Sequence, residues 1–452
     1  IDWLRPLRGE IMQSINIDLS RRDWFRWAGA AALSASGWLG RLAAAEARPP
    51  RSCILLWMNG GPSQIDTFDL KPGHANGGPF KEIATSVPGI KISEHLPGLA
   101  KRMEHLALVR SLSGREGEHG QASFFAHTGY VQRGPIQYPT LGSLVARQLE
   151  DGAASLPGFV SIAPFRALNA AAHAPGFLGP RYASLSVGAD QAFRSNAGAE
   201  RPLGVENLAA PDAAANRFAS RWQLLERMQS RFDADHPDGP AQAQRTAYQR
   251  AVRMMRQEAA KVFKLDDEPA RVRDAYGRNA FGQGCLLARR LVEHRVPFVE
   301  VSLGGQTGID WDTHSDNFAR VRTLSNILDA AWSQLLDDLK GRGLLESTLI
   351  VWMGEFGRTP TINGSNGRDH YPLVSSAALA GGRIKAGQVI GKTSKDGAAV
   401  SERPVSLPEF LATVFEALDI DPQAQNTSNT SRPIPLVETG TRPVRELLRP
   451  RA

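Results

Sequence analysis

Short, unbroken apolar runs that stop at glycine recur along this chain. Cys53-Ile54-Leu55-Leu56-Trp57-Met58 ends in Asn59-Gly60-Gly61-Pro62, and Phe298-Val299-Glu300-Val301-Ser302-Leu303 stops at Gly304-Gly305. Thr348-Leu349-Ile350-Val351-Trp352-Met353 stops at Gly354-Glu355, and a last run, Ser376 to Ala380, stops at Gly381-Gly382. Runs of this length without polar alternation predict strands buried on both faces, as in parallel sheets. Helical spacing of apolar residues lies between them, at Gly282–Glu293, at Phe318–Leu339 with Gly341-Arg342-Gly343 as a C-cap, and near Leu407–Leu418. Strands alternating with helices predict an α/β fold, a mostly parallel sheet with helices on both faces. The stretch Ser186–Leu265 departs from this pattern. It is rich in Ala, Arg and Gln and helical around Ala213–Phe232 and Ala241–Phe263, which predicts a helical insertion or cap on one domain spanning residues 48–452. Gln423–Ser431 is polar and reads as a surface loop, and no internal repeat is visible.

The first 47 residues follow a different rule. A weakly apolar run, Trp27 to Leu39, is preceded by Ser20-Arg21-Arg22-Asp23-Trp24-Phe25-Arg26 and followed by small-residue sites at Ala43-Ala44-Ala45 or Ala45-Glu46-Ala47. A basic segment, a short apolar segment and a small-x-small site in that order predict an export signal, too short and too rich in Gly and Ala to stay in a bilayer. The arginine pair resembles the twin-arginine signal, which implies the twin-arginine translocase as a partner and export of an already folded chain to the periplasm or beyond. Met12 would give an n-region of ordinary size, with the residues before it upstream of translation.

Composition narrows the function classes. The net charge of +7 comes almost wholly from arginine. Those arginines are scattered and not interleaved with aromatics, which argues against nucleic-acid binding and leaves room for anionic polymers or phosphate and sulfate esters. Two cysteines, Cys53 and Cys285, have no CxxC neighbours, so a thiolate zinc site and a disulfide framework are disfavoured, although one bridge between them is possible. Nothing after residue 47 is long and apolar enough to span a membrane.

In open parallel sheets, sites form beyond the carboxyl ends of strands. Polar residues collect at those places here. Asn59, Ser63, Asp66 and Asp69 follow the first run, and Asp310-Trp311-Asp312-Thr313-His314 follows Leu303. Glu355-Phe356-Gly357-Arg358 and then Arg368-Asp369-His370 follow Met353, while Gly117-Glu118-His119-Gly120 leads into an apolar segment ending at His127-Thr128-Gly129. Carboxylates mixed with imidazoles suit Zn, Mn or Fe better than Ca. Asp312, His314 and His370 form a three-ligand set that leaves a position for water or substrate, with Zn or Mn the expected ion. Lone histidines such as His105, His173, His236 and His294 read as structural or surface residues.

Several of these segments together resemble the exported bacterial family called domain of unknown function 1501, within the alkaline-phosphatase-like superfamily. The resemblance rests on Gly60-Gly61-Pro62-Ser63-Gln64-Ile65-Asp66-Thr67-Phe68-Asp69, Glu118-His119-Gly120, Pro139-Thr140-Leu141-Gly142-Ser143, Trp311-Asp312-Thr313-His314, Gly354-Glu355-Phe356-Gly357-Arg358-Thr359-Pro360 and Gly367-Arg368-Asp369-His370. It covers nearly all of residues 50–420. The superfamily resemblance implies an alkaline-phosphatase-like sheet and a metal site that cleaves phosphate or sulfate esters.

Departures from that pattern change what it implies. Asn59 stands where the superfamily's first strand ends in a metal-binding Asp, with Asp66 a few residues on. His119 stands about where a hydroxyl or thiol nucleophile is expected, which leaves it open as phosphoryl acceptor, metal ligand or general acid/base. Glu355-Phe356 replaces an Asp-His pair, so a single divalent ion is expected rather than two. Arg358 either holds an anionic ester oxygen or pairs with Glu355 to fix a turn. Asn59, Asp66, Glu355, Asp312, His314, Asp369 and His370 are the candidate metal residues, and His119 and Arg358 the candidate catalytic ones. Two functions follow: an exported hydrolase of phosphate or sulfate esters, such as those of a polysaccharide, or a non-catalytic envelope protein binding a metal, glycan or protein. A serine hydrolase using Ser63 ranks below both, because no Gly-x-Ser-x-Gly elbow occurs.

Overall fold

In the computed structural model, which describes residues 51–451 except 151–153, 189–202, 206–207, 209–211, 236–238, 256 and 306–309, the first apolar run forms the strand β1, Ser52–Met58. Its side chains alternate between two cores. Ile54, Leu56 and Met58 enter one, and Cys53, Leu55 and Trp57 enter the other, which is why the run carries no polar alternation. The expected export signal lies outside the described residues.

The other strands of the sheet are β2 Leu106–Ser113, β3 Phe159–Ile162, β4 Leu185–Val187, β5 Phe298–Leu303, β6 Thr348–Met353, β7 Ser375–Gly381, β8 Gln388–Ile390 and β9 Val405–Ser406. Their order is β8-β2-β7-β6-β1-β5-β3-β4, with β9 beside β2. β1 runs parallel to β5 and β6, and β3 runs parallel to β5 and β4. β8 and β9 run parallel to β2. Strand β7 is antiparallel to both its neighbours, β6 and β2. The sheet is therefore mixed and mostly parallel. An antiparallel β7 follows from the connection before it, since residues 354–374 contain no helix that could carry a parallel crossover.

The principal helices are α1 His119–Thr128, α2 Leu141–Leu149, α3 Asp212–Asp235, α4 Gly239–Met254, α5 Ala280–Glu293, α6 Asn317–Gly341 and α7 Leu407–Ala417. Residues of α1, α2 and α7 pack on the Cys53–Trp57 face, and residues of α5 and α6 on the opposite face. Local sequence fixes several ends. Ser406 and Glu409 form a capping box at the start of α7, with Pro408 in its first turn, and the Asn279 side chain accepts from Gly282 N at the start of α5. Phe318, Val321, Leu324, Leu328, Leu335 and Leu339 of α6 are all buried at three- and four-residue spacing.

Two expectations need correction. The helical insertion holds α3 and α4, but it starts after β4, because Leu185–Val187 pairs with β3 and extends the sheet. Within Gln423–Ser431, Gln425–Thr427 pairs antiparallel with Pro433–Pro435, so that stretch is not all loop. Cys53 and Cys285 are free and buried in separate cores on opposite faces of the sheet, and burial pushes both thiols far up. No helix among the described residues is long and apolar enough to cross a membrane.

Candidate functional site

The carboxyl ends of β1, β5 and β6 stand side by side, and the turns that leave them interlock. Gly60 has φ +105, and a Cβ there would lie 2.3 Å from Asp312 N, so only glycine lets the two turns approach. Trp311 N donates to Asn59 O at 3.0 Å, and Arg368 N donates to Thr313 O at 2.8 Å. Asp312 is thereby held between the segment after β1 and the segment before His370. Glu118 caps α1, accepting from Gly120 N and Gln121 N at 2.9 Å each, which sets His119 at the first position of the helix. His370 arrives on a two-residue strand, His370–Tyr371, paired antiparallel with Gly357–Arg358.

Three imidazoles converge on one oxygen. From Asp312 Oδ1, the Nε2 atoms of His119, His314 and His370 lie 3.3, 3.1 and 3.2 Å away. His314 Nε2 and His370 Nε2 are 3.0 Å apart. Every Nδ1 is tied elsewhere: His119 to Glu355 Oε1 at 2.7 Å, His314 to Asp369 Oδ1 at 2.6 Å, and His370 to Gly117 O at 2.8 Å. A carbonyl or carboxylate at Nδ1 fixes the proton on that nitrogen, so each neutral ring turns its Nε2 lone pair to the same point. Lone pairs facing one another and a carboxylate repel unless a proton or a cation sits among them. Ligand bonds of about 2.0–2.1 Å at tetrahedral angles separate donor atoms by about 3.3 Å, the spacing of each Nε2 from Asp312 Oδ1, and the ligand atoms of His119, Asp312 and His370 all lie within 4.8 Å of one another. The donor set fits a divalent ion.

The electrostatics point the same way. Burial alone would lower the His119 pKa, but its bonds to Asp312 and Glu355 outweigh that and raise it to about 9. Burial would raise the Asp312 carboxyl, but His119, His370 and Arg358 hold it well below the usual carboxylate range. In the absence of a metal His119 holds its proton tightly. His314 and Asp369 are the exposed members, with side chains 47% and 51% accessible, whereas Glu355 is buried at 1%, so the site opens to solvent on the His314 side.

The remaining candidates have other tasks. Asn59 takes the Trp57 indole N–H on its Oδ1 at 2.7 Å and donates to Gly304 O at 3.1 Å, so it shapes a turn. Asp66 is fully buried and takes Arg368 Nε and Nη2 at 2.7 and 3.0 Å and Asn317 Nδ2 at 2.8 Å, all away from the imidazole cluster. Glu355 and Asp369 reach the cluster only through Nδ1 of His119 and His314; Glu355 Oε1 also accepts from Gly60 N at 2.8 Å. Arg358 is closed to an ester oxygen. It is fully buried and donates to Gly61 O at 3.0 Å, Arg368 O at 3.2 Å, Gly60 O and, at 2.6 Å, Asp312 Oδ1, instead of pairing with Glu355. Ser63 is 1% exposed, its hydroxyl unpartnered among the described residues, which removes it as an accessible nucleophile. Sequence reading missed the orienting carbonyl of Gly117, which no side-chain pattern announces. It also missed a second grouping, His127, His173 and Glu300. Its one signal was a lone Glu in the otherwise uncharged run Phe298–Leu303.

Among solved structures, the chain is similar to Ps i-CgsB, at 12% identity and TM-score 0.39 over 82% of this chain and 72% of that one. It is similar to the PsFucS1 sulfatase from Pseudoalteromonas sp., at 14% identity and TM-score 0.37 over 85% and 71%. A protein in the alkaline phosphatase superfamily from Vibrio parahaemolyticus matches at 11% identity and TM-score 0.37 over 82% and 67%. No curated protein matches the chain. A family model described as Protein of unknown function (DUF1501) matches residues 50–448, nearly the whole described chain and every segment that builds the imidazole cluster, and the chain belongs to that family.

Proposed function

We propose that His119, His314, His370 and Asp312 hold one divalent ion, zinc or manganese, and that the chain is an exported hydrolase of phosphate or sulfate esters. The observation that carries this reading is the set of three tethered imidazoles whose Nε2 atoms meet at Asp312 Oδ1. A divalent ion at that point supplies Lewis acidity, polarising an ester oxygen and making water a stronger acid. The residues of the chain do the positioning. Glu355, Asp369 and the Gly117 carbonyl hold the three rings by Nδ1, and Arg358 fixes the Asp312 carboxylate from its buried side. With Nδ1 held by Glu355 and its Nε2 lone pair directed to the ion, His119 would have no lone pair left for attack on phosphorus or sulfur. Water is the attacking group in this reading, and no covalent enzyme ester forms. The substrate, an anionic ester such as one on a polysaccharide, enters from the exposed His314 side. Residues 1–47 are its twin-arginine export signal.

Metal analysis with arylphosphate and arylsulfate assays tests the proposal. Wild-type chain loaded with Zn or Mn keeps an ion at the cluster through dialysis at neutral pH and hydrolyses one ester class, and His370→Ala loses both the ion and the activity. Wild-type chain that keeps no ion overturns the reading. A second reading, a non-catalytic envelope protein, is favoured by the burial of Arg358, which leaves that cation unavailable to a bound anion. Full metal occupancy with neither ester cleaved would establish it.

A further inference from the structure

Glu300 sits in the middle of β5 between Val299 and Val301 and is 1% exposed. Those two valines belong to one core, so by strand alternation Glu300 points to the face covered by α1 and α2. Two imidazoles meet it there. His127, from the last turn of α1, places Nε2 3.3 Å from Glu300 Oε2, and His173, from the short turn Ala170–His173, places Nδ1 3.7 Å from Oε1. All three side chains are more than nine-tenths buried.

The contacts around this group hold each ring in place. His127 Nδ1 bonds the Ser123 carbonyl at 2.8 Å, and His173 bonds the backbone of Phe165. Ser161 Oγ donates to Glu300 Oε1 at 3.1 Å. Among the described residues His127 Nε2 is buried without a well-aligned hydrogen-bond partner, although the Glu300 carboxylate faces it at 3.3 Å. A charge-assisted hydrogen bond would close to about 2.7–2.9 Å. The 3.3 and 3.7 Å spacings instead bracket the edge of a tetrahedron built on bonds of about 2.0–2.1 Å. One carboxylate oxygen faces each imidazole, which makes two nitrogens and two oxygens around one gap.

We infer that His127, His173 and Glu300 form a second metal site, a closed structural one of the zinc class, separate from the cluster at Asp312. Both sites hang on α1, with His119 and His127 eight residues and about 12 Å of helix rise apart. The buried site has no room for substrate. It ties β5 to the end of α1 and to the turn at His173, and its ion enters as the chain folds.

The test is a metal count on the full chain expressed with zinc in the medium. After brief dialysis against a chelator at neutral pH, the solvent-open ion leaves and one equivalent of zinc stays, released only when denaturant unfolds the protein. His370→Ala keeps that equivalent. Glu300→Gln and His173→Gln lose it and melt at lower temperature. X-ray absorption at the zinc edge of the dialysed wild-type chain shows two imidazoles and a carboxylate, a readout that does not depend on any variant folding. A dialysed wild-type chain without zinc, or zinc retained in a folded variant carrying both His370→Ala and Glu300→Gln, overturns the inference. Both outcomes are independent of whether the Asp312 cluster binds metal or cleaves esters.

Discussion

Replacing Asp66 by Asn removes the anion from a fully buried ion pair and leaves the guanidinium of Arg368 behind. Both side chains are 0% exposed. The carboxylate takes three donors, Arg368 Nε and Asn317 Nδ2 on one oxygen and Arg368 Nη2 on the other. An amide keeps one acceptor and turns its NH2 toward at least one of those donors. Arg368 then keeps the carbonyls of Asn76, Thr359 and Pro360 and at most one neutral oxygen in place of the carboxylate. Breaking a buried pair from one side costs about 3–5 kcal/mol, a large part of the roughly 5–15 kcal/mol that holds a domain together. Urea unfolding followed by tryptophan fluorescence and by circular dichroism measures this loss, provided the two transitions coincide. Arg368→Lys should not be tolerated either, since a point charge cannot reproduce the planar fork. Asp66→Asn should keep wild-type metal content, because Asp66 touches none of the three converging imidazoles. A destabilisation below about 1 kcal/mol refutes the argument for a buried, fully engaged pair. Loss of metal in a variant of unchanged stability would make Asp66 a ligand after all.

Other outcomes follow from the same geometry. Glu355→Ala removes the carboxylate that orients His119 and should weaken metal binding about 10–100-fold without changing stoichiometry, as read by competition with a chromogenic chelator. The pKa of His119 in the metal-free chain, about 9, lies above the ~6.5 of free imidazole, so its contribution to stability is complete below ~6.5 and is lost as pH rises through about 9. A metal ion must displace that proton, so apparent affinity should keep rising up to about pH 9 rather than level off near 6.5; a flat profile between pH 7 and 9 would contradict it. Replacing Arg21 and Arg22 by Lys should hold the precursor in the cytoplasm, and unchanged yield of exported mature protein would show that another route reads the leader.

The central strands were legible because burial on both faces leaves an unbroken apolar run, as in Cys53–Met58 and Thr348–Met353. Flanking strands were not. Phe159–Ile162, Leu185–Val187 and Gln388–Ile390 have three or four residues each, too few for any period to register. The direction of β7 was hidden for another reason, since an apolar run reads the same either way and only the missing crossover reveals it. At the site, residue types at strand ends led correctly to His119, Asp312, His314 and His370 as neighbours. Asn59 and Asp66 instead bond Trp57, Gly304, Arg368 and Asn317, partners that lie mostly far away in sequence. A polar side chain's role is set by what faces it across the fold, and linear order carries little of that.

The reversed strand β7 has a consequence for how such a site changes over time. Because β7 runs opposite to β6, the segment 354–374 leaves the sheet and re-enters it at the same rim, on adjacent strands about 5 Å apart. That one excursion delivers Glu355, Arg358, Asp369 and His370 with no helix to be threaded across the sheet. Closing a loop between fixed posts grows costlier only slowly, by about 0.6 kcal/mol for each doubling of its length. The turn Asn363–Gly367 is nevertheless not free to lengthen, because Asn363 Nδ2 donates to His314 O at 3.0 Å and to Asp369 Oδ1 at 3.2 Å, and Ser365 O and Asn366 O accept from Asp316 N and Asn317 N. The rim beside the opening is thus set by the same excursion that carries the ligands, so a change of length there would shift His314 and Asp369 together with what the site admits.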